Sequence, residues 1–421
     1  VDPLAFLYSL ETFGMKFGLE NISKLCAALG HPERAFRSIL VAGTNGKGSV
    51  TAMTETALRA AGHRAARYTS PHLVRLEERF VVLGREVTTA DLVAALGRVQ
   101  QVVGDLLQRG ALDRPPTFFE CATAAAFEVF RLAAVDIAVL EVGLGGRLDA
   151  TNVVTPIATA VTSIDFDHQA QLGSTLASIA AEKAGIVRPG IPLIRGALPD
   201  EAVEVLERVA MAAGAPIVRA PEAVRVTRHA NGRLSFRSRS FELDGVRLAL
   251  PGRHQVDNAI VVLALLAELE RLGVPTGADA ARAGLVDVSW PGRLEHVSAG
   301  DADILLDAAH NPAGAAALAS YLEEIGWTHA TLVVGVMRDK DVGAMLRALS
   351  PCCAHVICTT PHSPRAMAAA DLAAVATETA AWAVEIEADP AAALTAARRR
   401  GGRIVVAGSI FLIGPLRDIL R

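Results

Sequence analysis

Lysine is scarce in this 421-residue chain: of 41 basic residues only five are lysine, namely Lys16, Lys24, Lys47, Lys183 and Lys340. Arginine serves nearly everywhere that a positive charge suffices, so a lysine marks a position where a compact primary amine is wanted. Long apolar runs are also missing. The longest, Ala259–Ala267, is closed by Glu268 and falls short of the roughly 18 residues that a membrane helix needs. No basic segment precedes the first apolar residues, where Asp2 stands, so a cytoplasmic location is expected rather than a secretory one. The five cysteines are odd in number and irregularly spaced. Cys352, Cys353 and Cys358 lack a paired zinc pattern, and reduced thiols are expected. A net charge of −4 provides no basic footprint for nucleic acid.

What is present is a long alternation of helical and apolar strand segments, the pattern of parallel sheets covered by helices. The length suggests two domains, with a boundary near Val288–Gly292. In the first part, strands are expected at Ser38–Ala42, Arg64–Tyr68, Asp136–Val142, Ile157–Ile164, Pro192–Arg195 and Pro216–Val218. Asn231-Gly232 predicts a hairpin, with a second turn at Asp244-Gly245. Beyond the boundary the alternation restarts, with strands at Ile304–Asp307, Thr331–Gly335, His355–Thr359, Ala383–Glu387 and Arg403–Ala407. The expected fold class is α/β, with domains over 1–288 and 289–421.

The chemistry concentrates where strands end. Ile39-Leu40-Val41-Ala42 runs into Gly43-Thr44-Asn45-Gly46-Lys47-Gly48-Ser49, and a helix is expected from Ser49 to about Ala61. A glycine-rich turn between strand and helix aims backbone N–H groups and the positive end of the helix dipole at one point, where phosphate binds. Lys47 can reach terminal phosphates, and a nearby hydroxyl can face Mg²⁺. A turn of this kind can also exist without a ligand. The strand Asp136–Glu141 ends in a carboxylate placed to hold Mg²⁺, followed by Val142-Gly143-Leu144-Gly145-Gly146-Arg147. A dinucleotide fingerprint fails here, because Leu148 occupies the third glycine position. Asp165, Asp167 and His168 close the next strand. Thr69-Ser70-Pro71-His72 offers a further hydroxyl, and Glu182-Lys183 places charge in an otherwise apolar helix.

G-T-N-G-K-G-S, with Gly48 inserted between lysine and serine, resembles the folylpolyglutamate synthase/dihydrofolate synthase family. The resemblance covers almost the whole chain. Phe17-Gly18-Leu19, Leu29-Gly30-His31-Pro32, T-S-P-H-L, T-F-F-E, L-E-V-G-L-G-G-R-L-D-A-T-N, D-H, E-K-A-G-I, P-G-R-L-E, D-A-A-H-N-P and G-V-M-R-D-K-D occur in the family's order. Gln255 stands where many members carry asparagine, and Phe166 where many carry a small or aliphatic residue. The resemblance implies a P-loop ATP-binding α/β domain and a smaller Rossmann-like C-terminal α/β domain. It implies that Gly46, Lys47, Gly48, Ser49, Asn258, Arg293, Asp307 and His310 bind ATP, and that Ser70, Glu141 and His168 hold Mg²⁺. Gly18, Leu19, Thr117, Phe118, Phe119, Glu120, Leu148, Asp149 and Ala150 would line a folate pocket. Lys47, His168, Lys183 and Asp149 would carry catalysis, with Lys183 as a carbamate serving a second Mg²⁺.

The function so implied is ATP-dependent addition of L-glutamate to dihydropteroate, to the glutamate tail of reduced folates, or both, by a cytoplasmic monomer that needs neither nucleic acid nor membrane. Two alternatives share the phosphate loop. One is an amino-acid ligase of cell-wall synthesis, which places Ser or Thr directly after the lysine. The other is a P-loop ATPase of switch or transport type, which should hydrolyse ATP without small-molecule substrates.

Overall fold

The computed structural model describes residues 2–13, 18–299 and 302–421; Lys16 and Phe17 lie outside them. The chain divides into two units. The first comprises residues 1–164, 172–247 and 257–288, and the second 165–171, 248–256 and 289–421. It therefore crosses between units five times, after Ile164, Gln171, Arg247, Val256 and Val288.

The first unit is built on a sheet of β1 (Arg37–Ala42), β2 (Ala65–Tyr68), β3 (Phe80–Val82), β4 (Arg85–Glu86), β5 (Ile137–Glu141), β6 (Pro156–Val161), β7 (Leu193–Arg195) and β8 (Ile217–Arg219). Their order is β4-β3-β2-β5-β1-β6-β7-β8. From β2 to β8 all pairings are parallel. Strands covered on both faces carry unbroken apolar runs, as Ile39–Ala42 and Ile137–Leu140 do with no exposed surface. β3 and β4 add an antiparallel edge through a two-residue turn at Leu83-Gly84, both at positive φ, which suits the twist of a tight hairpin. Two and three residues are too short for a periodicity to show.

β9 (Arg225–Arg228), β10 (Leu234–Arg237) and β11 (Glu242–Val246) form a separate antiparallel sheet. Asn231-Gly232 makes the expected turn, but Asp244-Gly245 does not. Both residues lie inside β11, where the register shifts opposite Leu234–Phe236 and Gly245 takes φ +64. The glycine serves a bulge, and the turn falls at Ser238–Phe241.

The second unit has a sheet of β12 (Glu295–Ala299), β13 (Ala302–Leu306), β14 (Ala330–Val334), β15 (Cys353–Cys358), β16 (Ala383–Ile386) and β17 (Arg403–Ala407), in the order β12-β13-β17-β14-β15-β16. The last five are parallel. β12, unforeseen, returns antiparallel along the edge of β13. All five cysteines are free and buried, Cys26 and Cys121 in the first unit and Cys352, Cys353 and Cys358 in the second. Among the described residues no helix is long and apolar enough to cross a membrane.

Candidate active site

β1 delivers its loop to the sheet centre. The helix that follows, Lys47–Ala60, begins two residues earlier than expected, with Gly46 as its cap at φ +82. A Cβ at Gly46 would stand 2.3 Å from Asn258 Oδ1, and one at Gly43 (φ +152) 2.0 Å from Thr162 Oγ1. Neither position has room for a side chain, so the loop backbone packs directly against Asn258 and Thr162. The loop is fixed from outside. The Thr44 N–H donates to the Ser163 carbonyl at 2.8 Å, the Asn45 N–H to Ser163 Oγ at 2.9 Å, and the Thr162 hydroxyl to the Asn45 carbonyl at 2.6 Å. The first intrahelical bond runs from Val50 N–H to the Gly46 carbonyl, so the N–H groups of Lys47, Gly48 and Ser49 point toward the helix start.

Two of the five lysines meet here. Lys47 Nζ donates to the Gly43 and Thr44 carbonyls, each at 3.1 Å, and the buried Lys183 Nζ donates to the same Gly43 carbonyl at 2.8 Å. Glu182, beside Lys183 in sequence, pairs with Arg147 at 2.8 Å. The neighbouring residues of one helix thus face different ways, Glu182 outward and Lys183 onto the loop.

β5 lies beside β1 with Val41 opposite Glu141, which sets this buried carboxylate next to the loop. Its Oε2 accepts the Ser70 N–H at 3.0 Å, so Ser70, after β2, and Glu141 are brought together. Among the described residues no three His, Cys, Asp or Glu side chains cluster as a metal site. A cation here would take mixed oxygen ligands, as Mg²⁺ does with substrate phosphate and water.

Thr117 and Glu120 form a capping box on the helix Phe118–Leu132. Glu120 Oε2 accepts both the Thr117 N–H and its hydroxyl, while Glu120 Oε1 is buried with no hydrogen-bond partner. The tip of the Phe119 ring lies against Gly143, where a Cβ would come within 2.6 Å of it. Asp149 is buried and ties its own loop: Oδ2 accepts the Leu144 N–H and Oδ1 accepts the Thr151 N–H and hydroxyl. Burial pushes its carboxyl up despite these bonds. Leu148 and Ala150 flank it, and Gly18 and Leu19 are half-buried at the start of the helix Glu20–Ala28.

Sequence reasoning missed Arg79. It is 8% exposed, its guanidinium lies 5.2 Å from the Phe118 ring centroid, and its Nε donates to His72 Nδ1 at 2.9 Å. Burial and the adjacent cation press His72 down to about 4. In a chain so rich in arginine nothing singled out this one.

The second unit holds Arg293, Asp307, His310 and His168. Asp307, just past β13, accepts the Leu294 N–H at Oδ2 (2.8 Å) and the Ala309 N–H at Oδ1 (2.9 Å). Burial raises its pKa, and Arg293 opposes that shift. His168 takes φ +50, and its neighbour Asp167 gathers His310, Asn311 and Lys340. Burial pushes the Asp167 carboxyl up, but the His310 contact and the surrounding cations outweigh it and hold the group well below the usual carboxylate range.

Residues 292–410 match the family model described as Mur ligase, glutamate ligase domain. The dihydrofolate synthase/folylpolyglutamate synthase of Bacillus subtilis (strain 168) is 33% identical over 432 residues, covering 100% of this chain and 99% of that protein. The chain spans about half the length of two archaeal relatives, the probable bifunctional folylpolyglutamate synthase/dihydropteroate synthases of Haloferax volcanii and Halobacterium salinarum. Among solved structures, E. coli FolC in complex with DHPP and ADP matches with a TM-score of 0.88 and 31% identity, over 100% of this chain and 97% of that one. A bifunctional folylpolyglutamate synthase/dihydrofolate synthase with Mn, AMPPNP and L-glutamate bound matches with a TM-score of 0.87 and 32% identity, over 100% and 98%. With a third of its residues shared along its whole length, this chain belongs to the folylpolyglutamate synthase/dihydrofolate synthase family of ligases.

Proposed function

We propose that the chain is an ATP-dependent ligase that adds L-glutamate to dihydropteroate, to the glutamate tail of reduced folates, or both. The observation that carries this reading is the Gly43–Ser49 cradle with Ser70 and Glu141 at its edge, a phosphate site beside hard oxygen donors. The relatives supply the substrates: one is bound to DHPP and ADP, the other to AMPPNP, Mn and L-glutamate. In this reading ATP transfers its terminal phosphoryl group to a substrate carboxylate, the glutamate amine attacks the resulting acyl phosphate, and inorganic phosphate leaves.

Both partners in the first step are anions. Lys47 and the N–H groups of Gly46, Gly48 and Ser49 lower the barrier by facing the phosphates with fixed positive charge. Ser70, Glu141 and His168 would hold Mg²⁺, which supplies charge neutralisation between phosphate and carboxylate. Asn258, Arg293, Asp307 and His310 complete the nucleotide site, within an ATP-binding domain of residues 1–288 and a glutamate-ligase domain of residues 289–421. Glu120 Oε1, buried and without a partner, fits an N–H donor of a pteridine ring, with Phe118, Phe119 and Leu148 supplying apolar contact and Gly18, Leu19, Thr117, Asp149 and Ala150 around it. The Lys183 amine would carry a carbamate for a second cation.

Phosphate release with dihydropteroate or tetrahydrofolate, each with and without glutamate, tests the reading. Release should require both a folate substrate and glutamate. Release that ignores both substrates would identify a P-loop ATPase of another kind.

A further inference from the structure

Asp167 has no role in the ligand set above, yet it is 8% exposed and met by three donors, with the His310 ring beside them. Its Oδ1 takes the Lys340 amine at 2.5 Å and the His168 backbone N–H at 2.8 Å. Its Oδ2 takes the Asn311 amide at 3.0 Å and faces His310 Nε2 at 3.4 Å. Three hydrogen bonds on two oxygens commit this carboxylate to its own surroundings. The donors come from separate stretches of the second unit. Asn311 caps the helix Pro312–Glu324 after β13, and Lys340 lies in the turn after β14. His168 sits at φ +50, a conformation that a non-glycine residue keeps only where its surroundings hold it. An ammonium suits the contact better than a guanidinium fork, since it shares one oxygen with a backbone N–H.

We propose that Asp167 is a positioning residue. It ties residues 165–171 to the turns after β13 and β14 through Asn311 and Lys340, and so sets the backbone from which His168 projects. The inference rests on the proposed role of His168 as a cation ligand. Groups that orient a metal ligand without touching the metal typically carry about 10- to 100-fold in affinity.

The test uses the full chain, with Mn²⁺ and a non-hydrolysable ATP analogue as probes. Asp167→Asn and Lys340→Met should each weaken Mn²⁺ binding, read by electron paramagnetic resonance, by about tenfold or more. Each should also speed amide hydrogen exchange across residues 165–171. The double variant should be no worse than the more affected single one, because both remove the same tie. Lys340→Arg, which keeps the cation, should recover part of the loss; space filling alone would not produce that. If Asp167→Asn fails to fold, Lys340→Met and Lys340→Arg decide the matter. Additive losses in the double variant, or native exchange across 165–171 in the single variants, overturn the tie. His168→Ala separates the two claims. If Mn²⁺ affinity is unchanged there while the Asp167 and Lys340 variants still loosen 165–171, the ligand role of His168 falls and the tie stands.

Discussion

At Gly43 a single carbonyl oxygen accepts hydrogen bonds from both Lys47 and Lys183. An arginine at 183 would bring a larger planar fork into this buried site, and guanidinium cannot form a carbamate. Lys183→Arg is therefore expected to lose turnover almost entirely while keeping its charge; wild-type rates in that variant would remove the amine from the chemistry. Lys183 was legible because lysine is scarce here, whereas Arg79 was not, because burial of one arginine among many leaves no mark in a sequence. Arg79 has its own consequence through His72, whose pKa of about 4 lies below the 6.5 of an unperturbed histidine. A depressed folded-state pKa means that this contribution is fully present above about pH 6.5 and is lost as pH falls toward 4. Over that window it amounts to about 3 kcal/mol. His72→Gln keeps an acceptor for Arg79 but cannot titrate, so denaturant midpoints measured from pH 6.5 to 4 should fall less steeply than in the parent. An unchanged slope would place the acid sensitivity elsewhere.

Strand ends and helix starts carried most of what could be read in advance. The apolar runs of β1 and β5 have a local cause, burial on two faces, and the glycine-rich loop before the helix Lys47–Ala60 has another, unpaired N–H groups at a helix start. The edge pieces β3 and β4 have none, being too short for a pattern to show, and β12 takes its place by pairing with the next strand, β13. Contact between elements is likewise hidden. Gly185 caps the helix Leu176–Ala184 at φ −63, an ordinary value, so its backbone does not require glycine. What requires it is the crossing chain: a Cβ there would lie 2.3 Å from Arg147 Cα and 2.2 Å from Arg147 Cβ. Gly146 meets the same helix end, with its own Cβ position 2.9 Å from the Glu182 carbonyl. Gly185→Ala should force this loop off the helix and cost about 1–3 kcal/mol by equilibrium unfolding. Native stability in that variant would show that the loop yields without cost.

At the scale of the molecule, the alternation of strands and helices announced two sheets, but not which unit each connecting stretch would join. Residues 165–171 and 248–256 precede Val288 yet group with the second unit; for the first stretch the partners of Asp167 are Asn311 and Lys340, remote in sequence and without periodic trace. The distribution of cysteine has a use that follows from the same division. Burial raises the pKa of every thiol, of Cys353 and Cys358 to about 12, so neither exposure nor thiolate is available in the folded state. Alkylation must then wait for a local opening, and its rate reports the free energy of that opening. Cys26 and Cys121 report on one unit, and Cys352, Cys353 and Cys358 on the other. Iodoacetamide labelling resolved by peptide mass spectrometry should be slow at all five sites, with a rate shared within each unit; prompt reaction at the rate of an unfolded thiol would contradict it. The chain thus carries its own pair of clocks, one in each half, for timing how the two units breathe.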